Sequence, residues 1–159
     1  MRQAICRLLV CCALTLSAVP ALAGAADPFA GTWVLDLGKS TFKPGPAPYK
    51  SQTRVIASLP EGMQMTVDGV LADGSKIKAS GTYRLDGRDY PFAGADGIDS
   101  ISLAKRTDLV QSGAAKLKGE QVGRLSLAVS EDHRTLTLQF KGMDAKEQPF
   151  DHTLVFNRK

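Results

Sequence analysis

From Ser51 to Arg158 apolar and polar side chains alternate at period two with few interruptions. That rhythm suits strands with one dry and one wet face, and it signals no helix of ordinary length. The cleanest case places Ile77, Ala79, Gly81, Tyr83 and Leu85 on one face, with Lys76, Lys78, Ser80, Thr82 and Arg84 on the other. Met63, Met65 and Val67 alternate with Gln64, Thr66 and Asp68. Leu136, Leu138 and Phe140 alternate with Thr135, Thr137 and Gln139, and Phe150, His152, Leu154, Phe156 and Arg158 share the last dry face. Asp73-Gly74 and Asp86-Gly87 are tight-turn signals, because an Asp-Gly pair tolerates the backbone of a two-residue hairpin. Only 109–118 is ambiguous. Its Gly113-Ala114-Ala115 offers little to pack, so the stretch reads as a weak strand or a short helical turn.

Ahead of this series, 31–37 reads as a first strand with Gly31, Trp33, Leu35 and Leu37 on one face. Residues 39–50 read as a loop, since Pro44, Pro46 and Pro48 cannot donate to a ladder. Between Asp86-Gly87 and a glycine-rich loop at Asp96-Gly97, only 90–92 reads as extended. The count is about eight to ten short strands joined mostly by hairpins. Short connections favour an up-and-down order, because a Greek key needs a long return. Gly81 and Gly123 fall on the dry faces of long strands, where a closing sheet needs room to bend. The expectation is an all-β chain forming a single up-and-down antiparallel β-barrel over 31–159, its interior filled or holding one small ligand.

The segment 1–23 has the make-up of a secretory signal peptide: a basic head with Arg2 and Arg7, an apolar run from Leu8 to Val19, and the small-x-small site Ala21-Leu22-Ala23. Its removal leaves 24–30 as a linker and places the protein in the periplasm or the medium. All three cysteines lie inside it, so the exported domain relies on its core rather than on disulfides. The 20 basic residues fall to 18 against 16 acidic ones, a net charge of about +2. With no run of like charges left, neither a nucleic-acid partner nor a membrane surface is implied, and no membrane span remains once the signal is removed. A monomer is expected.

Gly31-Thr32-Trp33, at the head of the first strand, resembles the Gly-x-Trp of lipocalins. In that family the tryptophan closes the barrel floor and an arginine near the end of the last strand packs across it. The resemblance makes Gly31, Trp33 and Arg158 the closure set. Stretches such as GTWVLDLGKSTF and KGMDAKEQPFDHTLVF are similar to those of small exported bacterial lipocalin-like proteins of unassigned function. Three lipocalin features are missing: the disulfide, the helix after the barrel and the Thr-Asp-Tyr motif.

Chemistry is sparse. His133 sits in a charged turn, whereas His152 shares a dry face with Phe150 and Leu154, where it could donate to a ligand or bind a haem iron. Two histidines and no exported cysteine do not make a zinc cluster, so no metal and no cofactor are assigned. There is no Gly-x-Ser-x-Gly elbow, phosphate loop or dinucleotide fingerprint. The reading is a non-catalytic binding module for a small apolar or amphipathic ligand. Tyr83 and His152 serve as its polar groups, and Met63, Met65, Leu127 and Phe140 as its apolar lining. A hydrolase or isomerase using the cavity is the least favoured reading, and two alternatives stand closer to the first. One is a protein-inhibitor or interaction module using the 43–48 loop or the N-terminal arm, and the other is a haem-binding barrel through His152.

Overall fold

The computed structural model describes residues 27–144 and 147–159; the segment read as a signal peptide lies outside the described residues. Ten strands follow one another along the chain: β1 Gly31–Lys43, β2 Tyr49–Leu59, β3 Gly62–Leu71, β4 Lys76–Tyr83, β5 Asp86–Ala95, β6 Ile98–Thr107, β7 Val110–Leu117, β8 Glu120–Val129, β9 Thr135–Met143 and β10 Pro149–Arg158. Each pairs antiparallel with the next, and β1 pairs with both β2 and β10. The sheet is therefore a closed up-and-down barrel with no free edge, as the alternation and short connections imply. No helix is present among the described residues.

Dry faces point inward and form one core, with Trp33, Leu103, Leu136 and Phe156 fully buried. One end is shut. There the Arg158 guanidinium lies 4.2 Å over the Trp33 ring. It donates to the carbonyls of Pro28 at 2.6 Å, Ala30 at 2.7 Å and His133 at 2.6 Å. Trp33 Nε1 donates to the carbonyl of Phe29 at 2.9 Å, and Phe29 is itself buried. Residues Asp27–Ala30, within the stretch read as a linker, are thus folded under the floor. Gly31 is held at φ +146°, and a β-carbon there would collide with Arg158 Nη1, so glycine is what lets the arginine lie across the tryptophan.

Four local expectations need correction. β1 continues past Leu37 to Lys43, so the loop starts only at the prolines. The register breaks between Asp36 and Thr41, where Ser40 Oγ donates to the Asp36 carbonyl at 2.6 Å and accepts from Val155 N–H at 3.0 Å. This hydroxyl replaces a ladder bond and the extra residues loop outward, a bulge that resets strand parity. Leu37, expected inward, is 39% exposed, and Phe42 turns inward opposite His152.

The turn expected at Asp86-Gly87 falls instead on Arg84-Leu85. Asp86 starts β5, its carboxylate accepting from Arg88 N–H at 3.0 Å and Tyr90 O–H at 2.9 Å. The short extended piece at 90–92 is therefore a strand of full length. The ambiguous 109–118 stretch contains β7. Its small residues serve close packing, since a β-carbon at Gly113 would strike the Ser102 carbonyl of β6.

Candidate functional site

The closed floor leaves the other end of the barrel to the proline loop, the β3–β4, β5–β6 and β7–β8 turns, and the β9–β10 connection. Between them and the floor lies an internal cavity of about 320 Å³. Its mouth is ringed by Tyr49, Lys76, Ile77, Asp96 and Ile98. Its upper and middle wall carries Gln52 among the apolar Ile101, Leu125 and Phe140. Deeper in, Arg54 faces Val67 across β2 and β3, with Met65, Leu103, Leu127 and Leu154 completing the wall. The size falls at the lower end of the range typical of small-molecule sites.

The expected ligand residues separate by depth. Met65, Leu127 and Phe140 line the cavity. Phe140 has room to do so because β8 carries Gly123 beside it; a β-carbon there would collide with the Phe140 ring. Met63 and Tyr83 point inward but sit nearer the floor, paired with each other across β3 and β4 and outside the lining. His152 lies on the mouth side, in an adjoining recess with Pro48, Tyr49, Phe140, Met143 and Phe150. Its ring is 5.4 Å from Phe42 and 5.1 Å from Phe150. Nδ1 is buried without a hydrogen-bond partner among the described residues. Loss of solvent around the ring moves its pKa below the ordinary value, against an opposing pull from Asp151.

Arg54 is the group that the chemical reading of the sequence passed over. Ile56 and Gln52 are both buried on β2, and strand periodicity puts Arg54 between them on the same inward face. Those neighbours were the signal available in the sequence. The guanidinium lies 5.3 Å from the centre of the Phe156 ring. Nε donates to Gln52 Oε1 at 3.0 Å, and Nη1 approaches Met65 Sδ at 3.3 Å. Among the described residues no carboxylate pairs with it, and Nη2 has no hydrogen-bond partner.

Burial lowers the Arg54 pKa to about 10, partly offset by Tyr49 and Tyr83, so the group stays charged at neutral pH. Burial likewise raises both tyrosines, and Asp27 pushes Tyr83 further up; the Arg54 charge opposes the rise in each. The Tyr83 hydroxyl is buried with no hydrogen-bond partner among the described residues. The lining therefore sets one positive charge and one amide, Arg54 and Gln52, among apolar side chains, with the neutral Tyr49 phenol at the mouth and the neutral Tyr83 phenol beneath the lining.

Among the described residues no group of three His, Cys, Asp or Glu side chains is placed to hold a metal ion. Nor is any helix among them long and apolar enough to cross a membrane. No protein-family model matches the chain, and no curated protein resembles it at a significant level.

Proposed function

We propose that this chain is an exported, non-catalytic carrier of lipocalin-like type that holds one small apolar or amphipathic molecule inside its barrel. The carrying observation is the apolar-lined cavity above a closed floor. A barrel needs only a filled core for stability, and filling this space with side chains would bury more apolar surface. Affinity in such a site comes from buried apolar area, with a few polar groups setting orientation. The lipocalin-like assignment rests on the Gly-x-Trp at the start of β1 and the arginine stacked on it from β10. Export rests on the make-up of 1–23.

Native mass spectrometry of protein purified from its host tests the reading. Added mass that is released on unfolding is the expected result. A bare chain under several growth conditions, which also fails to take up an apolar fluorescent probe, would overturn it.

A further inference from the structure

We infer that the molecule held in this cavity is an anionic amphiphile, its carboxylate paired with Arg54 at the inner end and its hydrocarbon chain running towards the mouth. The inference rests on the carrier reading and adds the chemical class of the ligand.

Three observations carry it. A guanidinium has five N–H donors, and protein acceptors meet only two of its nitrogens here, one of them through a weak thioether sulfur. A charge in such surroundings is strongly disfavoured unless a counter-charge or other polar groups meet it, and no carboxylate among the described residues does so. The planar fork matches two carboxylate oxygens, which makes arginine better suited than lysine to bidentate recognition. Secondly, the Tyr83 hydroxyl is buried without a partner and close enough to interact with the Arg54 charge. It lies beneath the lining and stays neutral, so it gives Arg54 no counter-charge. Thirdly, the charge and amide are set in a wall that is otherwise apolar over its middle and depth. Arg54 faces Val67 across β2 and β3, Gln52 lies one inward position nearer the mouth, and Ile101, Leu125 and Phe140 supply apolar wall beside them. A molecule entering head first places its charge against Arg54 and leaves its chain against apolar wall on the way to the mouth.

The head group is singly charged. One arginine balances one negative charge, and among the described residues the other cation in the lining, Lys76, stands at the mouth. A phosphate monoester carries about −1.5 to −2 at neutral pH and would leave charge uncompensated beside Arg54.

Calorimetric titration with decanoic acid, decanol and decylamine, at a pH where the acid is ionised, tests this on the intact protein. The acid is expected to bind about tenfold or more tighter than the alcohol, with the amine weakest, as a charge-assisted pair requires. Arg54→Met and Arg54→Gln should abolish the preference for acid over alcohol. Arg54→Lys, which keeps the charge and loses the fork, should retain part of it. Equal affinity for acid and alcohol in the unaltered protein overturns the anion assignment and leaves the carrier reading intact, and it needs no variant to fold. So does a preference for acid that survives in Arg54→Met. If none of the three probes binds, the carrier reading falls and takes this inference with it.

Discussion

Arg158→Ala is the sharpest test of what keeps the barrel shut. The side chain makes three hydrogen bonds to backbone carbonyls from three places in the sequence, at Pro28, Ala30 and His133. It also stacks on Trp33 at 4.2 Å. Hydrogen bonds to a charged donor contribute about 1.5–3 kcal/mol each when buried. Arg158 is only half-buried, so solvent screening reduces this to about 0.5–1 kcal/mol each. The cation on the indole face adds about 1 kcal/mol. Together the loss is about 2.5–4 kcal/mol, or about 10 °C in Tm for a domain of this size.

Urea unfolding followed by far-ultraviolet circular dichroism measures the loss, and an unchanged slope shows that the unfolded state is not the cause. Trp33 is the one tryptophan, so its emission reports on the floor directly and should shift to the red. Arg158→Lys keeps the charge without the fork and should recover less than half of the loss. A loss under about 1 kcal/mol, or full recovery by lysine, would refute the reasoning. The floor would then be held by packing, with the arginine lying on it as a bystander.

Three further outcomes are expected. Trp33→Ala should lower stability by about 3–5 kcal/mol, as for a fully buried aromatic, and leave ligand affinity of the folded protein unchanged; lost binding at full stability would make Trp33 a ligand contact. Tyr83→Phe removes a buried hydroxyl without a partner, so ligand-free stability should hold or rise by up to about 1 kcal/mol, measured as the urea midpoint. His152 has its folded pKa below the ordinary value of 6.5, so its share of stability is full above that value and is lost as pH falls through the window to the folded pKa. His152→Gln should flatten that part of a plot of urea midpoint against pH, and a variant with an unaltered slope there would contradict the burial seen at the mouth.

How much was legible depends on which interaction sets each feature. Strand identity comes from alternation, a local property, and the runs around Met65, Tyr83 and Leu138 carried it without ambiguity. Facing pairs at the floor also follow once the strands close in order, because β1 begins where β10 ends and Trp33 meets Arg158. The β1 bulge was not legible. It depends on Ser40 Oγ meeting Val155 N–H, a contact 115 residues away in sequence. Depth was equally hidden. Parity puts Met63, Met65 and Tyr83 on inward faces, yet only the register of β3 against β4 shows Met65 in the cavity wall and the other two beneath it. Arg54 was readable by parity from Ile56 and Gln52, but charge suggests a wet face and conceals an inward position.

That conflict between charge and place carries one more expectation. A chain selected for stability alone would put an apolar residue at position 54, facing Phe156, Met65 and Leu154. Arg54→Met keeps much of the aliphatic bulk and removes a half-buried charge that no carboxylate among the described residues meets. In comparable exchanges of buried charged groups for apolar ones, proteins often become about 1–4 kcal/mol more stable. Arg54 is half-buried, which reduces the effect, so the ligand-free variant should gain about 0.5–1 kcal/mol in urea unfolding while losing its preference for an acid. The opposite sign would carry a different meaning. A variant destabilised by more than about 1 kcal/mol would show that the bond to Gln52 and the stacking on Phe156 hold the β2 wall in place. Stability gained together with selectivity lost would identify Arg54 as a residue kept for what it binds, since local rules of folding are broken most often where function requires it.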